Sequence, residues 1–249
     1  MAGKTQGVAP KTITIDGEQV QINVQPSDSY RSVDIEFKPG RITIRHPRGR
    51  PIDAQAILDA KHDLIARKYR EAASKIPILE NGVILIHGTP RKIRAGPTPG
   101  LSEPKVSLSD DTIAIQYESH GNPALILKRW VTQQTEQLIQ ETLEKHREQL
   151  ERLPEITRVA DTTRWGYCNK KGWIIYNWQL ATLPRELAEY VIVHEAIHLT
   201  HFHHRKGFHH KLEQITPDHQ THQKRLQQYQ AIPPNHEYKA DPLNPSEPS

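Results

Sequence analysis

Residues 190–199 read Tyr190-Val191-Ile192-Val193-His194-Glu195-Ala196-Ile197-His198-Leu199, with Leu187 three places earlier. Wound as an α-helix, this run carries apolar side chains on nearly every side, and a helix of that kind is buried. Pro184 marks where the helix opens, since a first helical turn has no use for the N–H that proline lacks. The two histidines are four residues apart, so they stand on one face and both imidazoles can reach a single ion. Glu195 projects beside that ion, where a carboxylate can take a proton from bound water. Zinc lowers the pKa of such a water to roughly 7, and a positioned general base contributes a further ~10²–10⁴ in rate. The run therefore predicts a zinc-dependent hydrolase with His194 and His198 on the metal and Glu195 as base. The competing reading is a pair of core histidines bonded to carbonyls. It is weaker, because two imidazoles and a carboxylate inside a buried helix all need partners and one ion serves them together.

Working outward, nine of the 15 histidines of the 249-residue chain fall between His194 and His222. Neutral imidazole is a metal ligand at physiological pH, so this cluster is where a site is expected. The net charge of +4 and pI of about 9.1 admit a nucleic-acid partner without demanding one, and no recognisable nucleic-acid-binding motif is present. The single cysteine, Cys168, excludes an internal disulfide and suits a reducing compartment. The first residues hold no apolar stretch of signal-peptide type, and runs such as Val83–Ile86 are far too short to span a bilayer. The expectation is a cytoplasmic protein without a membrane partner.

The expected fold class is α+β. A β-rich region over residues 1–120 alternates through Thr12–Val24 with a turn at Asp16-Gly17, then around Pro39-Gly40. It holds one helix, from about Ile52 to Ala73, striped by Ala54, Ile57, Leu58, Ile65 and Tyr69. Strands follow near residues 82–87, 91–95, 105–108 and 112–117. A helical half with a small sheet, zincin-like in layout, is expected over 121–232. It opens with a long helix capped by Asn122 with Pro123 at its first position, carrying Ile139, Leu143, His146, Leu150 and Leu153 on one face. A hairpin-like segment turns at Asn169–Gly172, and the HExxH helix and two further helices complete the half. Residues 233–249 are rich in Pro, Asn, Ser and Glu and read as a disordered tail. No internal repeat is evident.

A catalytic zinc takes three protein ligands and keeps one position open. His201, His203, His204, His209 and His210 could each be the third. His204 has the metzincin spacing, but position 201 is not the glycine of that pattern and the only methionine is Met1, so the chain is not a metzincin. His201 shares the face of His194 and His198 yet lies too far along it, so the third ligand must come after the chain turns, where His203 and His204 sit. Arg164-Trp165-Gly166-Tyr167 has the character of an edge strand that could pair with extended substrate backbone, although Trp165 and Trp178 read better as packing residues. Tyr167 and Tyr176 read as structural tyrosines before oxyanion donors, Cys168 as a small packed residue before a nucleophile, and Lys170-Lys171 as a polar turn.

Residues 164–208 resemble the YgjP-like metallopeptidase family, relatives of the SprT-like and Wss-type zinc proteases. The resemblance rests on Arg164-Trp165-Gly166-Tyr167-Cys168, Gly172, Asn177-Trp178, the HExxH run itself, and His203-His204-Arg205 before Phe208-His209. Tyr167 replaces a family serine, Ile197 the cysteine within HExxH, and His203 an asparagine; the implied ligands are untouched. The resemblance implies His204 as third ligand, Zn²⁺ as cofactor and a protein or peptide substrate. It also brings an alternative, nucleoside triphosphate pyrophosphohydrolysis, against which the chain shows neither a Walker-type loop nor a carboxylate-rich Mg²⁺ site. A non-catalytic, metal-stabilised nucleic-acid-binding module would have no need of Glu195.

Overall fold

The computed structural model describes residues 11–38 and 40–232. The chain is α+β and divides into two compact units, residues 1–75 and 76–249. The strands expected in the region 1–120 are thus distributed over both units. Pro39 and the tail read as disordered, 233–249, lie outside the described residues.

In the first unit, β1 (Lys11–Ile15) and β2 (Glu18–Ser27) form a hairpin whose turn, Asp16-Gly17, has φ of 52° and 83°. Two positive φ values in succession match the right-handed twist of the flanking strands. β3 (Asp34–Lys38) lies at the edge and β4 (Arg41–Pro47) inserts between β3 and β2, parallel to β2, giving the order β1-β2-β4-β3. Ile15, Val20, Ile22, Ile42 and Ile44 meet Leu58, Ile65 and Tyr69 of the helical segment in one core.

That segment is two helices, α1 (Ala54–Ala60) and α2 (His62–Ala73), where the stripe predicts one. The break at Lys61 (φ −125°, ψ 23°) has a physical cause. A continuous helix would bring Lys61 or His62 to the core between buried Leu58 and Ile65. The break leaves both exposed.

The second unit repeats this topology, which the sequence did not reveal. β5 (Ile76–Pro77) and β6 (Leu79–Glu80) lead into β7 (Val83–Ile86) and β8 (Thr89–Pro97), again a hairpin, turning at His87-Gly88 with φ of 50° and 78°. β9 (Lys105–Leu108) takes the edge and β10 (Thr112–Tyr117) inserts parallel to β8, so the order β7-β8-β10-β9 copies β1-β2-β4-β3, with β6 added outside β7. A helix follows in both units. Here it is α3 (Pro123–Lys145), capped as predicted by the Asn122 side chain, which accepts from the Leu125 N–H. Leu127 and Val131 of α3 pack on Ile84, Ile86, Ile113 and Ile115.

α3 stops at Lys145, so Leu150 reaches the core from the turns that follow. The other half of α3 belongs to a second core. Leu138 and Ile139 pack there with α4 (Arg185–Ile197), the predicted HExxH helix, which is apolar and buried on nearly every side. A small sheet completes this core: β11 (Thr157–Ala160), β12 (Gly166–Cys168) and β13 (Ile174–Asn177), ordered β11-β13-β12. β12 and β13 form the predicted hairpin, with the Asn169 side chain accepting from the N–H groups of Lys171 and Trp173. The His87-Gly88 turn donates to the carbonyls of Ala181 and Thr182 just before α4. α5 (Lys206–Ile215) and α6 (His219–Leu226) follow, and β14 (Tyr229–Gln230) pairs with β5. No helix among the described residues is long and apolar enough to cross a membrane.

Candidate metal centre

His194 lies in the last turn of α4 and His198 at its C-terminal cap, still helical at φ −62° and ψ −14°. Their rings therefore lie on one face, edge to face, with centroids 5.1 Å apart. The helix then closes with tight turns from Leu199 to His201, and the chain reverses before α5. The reversal brings His204 back over the pair, so that its Nε2 lies 3.1 Å from His194 Nε2. One ligand atom from each of His194, His198 and His204 lies within 4.8 Å of the others, a group that could hold a metal ion.

Three observations test whether these residues fit an ion. Two imidazole nitrogens on one tetrahedral Zn²⁺, each at 2.0–2.1 Å, stand roughly 3.3 Å apart, close to the 3.1 Å seen. Burial and the neighbouring imidazoles of His198 and His204 push His194 down to about 3, so it is neutral at physiological pH, as ligation requires. His198 Nδ1 lies 3.0 Å from the His201 carbonyl. Donation there fixes the tautomer that leaves Nε2 as the acceptor. The donor set fits.

Phe208 of α5 supports all three rings, with centroid distances of 4.9, 4.7 and 4.6 Å to His194, His198 and His204. It is 1 % exposed. In the sequence Phe208 figures in the family resemblance, four residues after His204, with no sign that it lies under all three rings. His201 turns away from the triad, its Nε2 3.5 Å from Glu151, which Lys211 also approaches. His209 is 6.4 Å from His204 between ring centroids, and His210 bonds Gln214.

Glu195 lines the same cleft and packs against β12. A Cβ on Gly166 would come within 2.9 Å of Glu195 Cγ, so only glycine lets the strand approach the helix this closely. Burial raises the Glu195 carboxyl to about 7, against the opposing hydrogen bond from the Cys168 N–H and the charge of Arg164. Asn177 donates to the Trp165 carbonyl and Asn169 to that of Trp173. Gly166 and Cys168, in alternate register, therefore turn their main-chain groups away from β13 towards the open edge.

A cleft of about 740 Å³ joins these parts, lined by the three histidines, Glu195, the β12 strand, Arg164, Lys170 and Phe202. Tyr167 stands exposed in it, whereas Tyr176 is fully buried and donates to the Ile192 carbonyl. Trp178 is buried, as a packing residue should be, and Trp165 packs against the α4 core. Burial and the nearby Glu195 push the Cys168 thiol up, away from the thiolate a nucleophile needs.

A buried HExxH helix, a third histidine returned by the following turn and an open strand edge together define a metal-dependent hydrolase class. A family model for the YgjP-like metallopeptidase domain matches residues 31–229, well over half of the chain, and the chain belongs to that family. No curated protein and no solved structure matches it.

Proposed function

We propose that the chain is a zinc-dependent peptidase in which His194, His198 and His204 hold the metal and Glu195 is the general base. The observation that carries this reading is the convergence of three imidazole nitrogens beside a buried carboxylate on an open strand edge. Three imidazoles with a fourth position free is one of the donor sets of catalytic zinc. When bound, the ion supplies a Lewis acid for the scissile carbonyl and a water of lowered pKa. Glu195 takes the proton of the attacking water and hands it to the leaving amine. A carboxyl group near 7 suits both steps, since base and acid forms are both accessible at neutral pH. The Cys168 N–H holds the carboxylate in place. Gly166, and the carbonyl of Cys168, offer main-chain partners to an extended substrate, which would add a strand to β12.

Glu195→Gln tests the mechanism. It should retain wild-type metal content and lose at least ~10²-fold in peptide hydrolysis. Turnover at the wild-type rate would refute the assignment of the base, and loss of the metal would make Glu195 a ligand.

A further inference from the structure

The exposed charges of the cleft wall are of one sign. Arg164 and Lys170 line it and are exposed, and among the described residues neither has a carboxylate within ion-pair distance. The only carboxylate in that wall, Glu195, is buried and held by the Cys168 N–H. Neighbouring acids are occupied, Glu151 by His201 and Lys211, and Glu155 by Arg152. Lys171 and Arg158 are engaged too, both over the Trp173 ring, at 5.5 and 4.9 Å from its centroid. Phe202, 62 % exposed, lines the same cleft. A large aromatic surface and two unpaired cations thus face whatever enters.

Resting on the peptidase reading above, we propose that the cleft selects extended peptides with acidic side chains on both sides of the scissile bond, one met by Arg164 before β12 and the other by Lys170 after it, and an apolar side chain packed on Phe202. Phosphate-bearing ligands fit less well. A nucleoside triphosphate brings Mg²⁺, which needs carboxylate ligands, and the wall exposes none. The outward main-chain groups of Gly166 and the carbonyl of Cys168 find their natural complement in another peptide backbone.

The test uses the Glu195→Gln chain and short fluorescent peptides, identical except for Glu, Gln or Lys on both sides of the central bond. The Glu peptide should bind about fivefold tighter than the Gln peptide, as two solvent-facing ion pairs allow, and the Lys peptide weakest. The preference should fade as salt rises. Adding Arg164→Gln and Lys170→Gln should bring the three affinities together, and Arg164→Glu with Lys170→Glu should favour the Lys peptide. Equal binding of all three peptides, or a preference unchanged by these substitutions, overturns the proposal. So does a nucleoside triphosphate or oligonucleotide that binds tighter than the Glu peptide and loses its hold in the same variants. Digestion of a mixed peptide library by the wild-type chain separates the two readings. Cutting without enrichment of acidic residues overturns the selectivity alone, whereas no cutting above the Glu195→Gln level overturns the peptidase reading with it.

Discussion

Gly166 shows how narrow the tolerances of the centre are. Its backbone is ordinary, so alanine there is not strained by conformation. The added methyl would instead press on Glu195 Cγ at 2.9 Å and on Tyr176 and Val191 at 3.3 Å. Overpacking of this kind costs about 1–3 kcal/mol, and the closest atom belongs to the proposed base. Gly166→Ala should therefore lower kcat far more than the accompanying fall in Tm explains, which parallel kinetics and melting will show. An unchanged kcat would mean that Glu195 moves aside freely and that the close strand has no bearing on catalysis. At this scale the sequence was partly legible. His194, Glu195 and His198 follow from helical spacing alone, because that spacing fixes a face. His204 needed the family resemblance, since the path of a turn between two helices leaves no periodic trace. That Phe208 lies beneath the rings, and that Arg164 and Lys170 line one cleft, was not legible, because both depend on tertiary packing.

Among the elements, the hairpin turning at Asp16-Gly17 was readable, whereas at His87-Gly88 only the flanking strands were. The parallel pairs β2·β4, β8·β10 and β11·β13 were not, because alternation marks a strand's faces and says nothing of its partner's direction. The helix break at Lys61 was legible in retrospect, as a polar turn on an apolar stripe. The pairing of β3 with β4 also carries a pH dependence. Burial opposes ionisation of Glu36, but hydrogen bonds from Arg45, at 2.7 Å, and from Lys38 outweigh it and hold the carboxyl below its ordinary 4.5. A folded-state pKa below the unfolded one stabilises the fold above the unfolded value, and that contribution is lost as pH falls through the folded one. Acid should thus weaken the first unit below about pH 4.5, and Glu36→Gln should lose less stability than wild type over that interval. Far-UV circular dichroism against denaturant at neutral and acid pH measures this. Equal acid losses in the two proteins would remove Glu36 from the account.

For the whole molecule, the repeated order of strands followed by a helix means that one local design serves two units, and only the second adds the small sheet and the α4–α6 helices that surround the metal centre. A bound ion should accordingly stabilise the second unit directly. Ligand that binds only the folded state adds RT ln(1 + [L]/Kd), about 2.7 kcal/mol when free metal is a hundredfold above Kd. All four tryptophans, Trp130, Trp165, Trp173 and Trp178, belong to residues 76–249, so their fluorescence reports on that unit. Chelation should lower the fluorescence-detected Tm by several degrees, about 2–4 °C for each kcal/mol lost in a domain of this size, and restored zinc should return it. His204→Ala should start from the lower Tm and respond little to chelator, because the ion would have lost one of its three proposed ligands. Its effect would then differ from that of an exposed histidine such as His210, whose replacement should leave the chelator response intact. A Tm that ignores chelator in the metal-loaded wild type would show that the imidazoles hold no ion that matters to the fold. A full chelator response in His204→Ala would move the third ligand elsewhere among the nearby histidines.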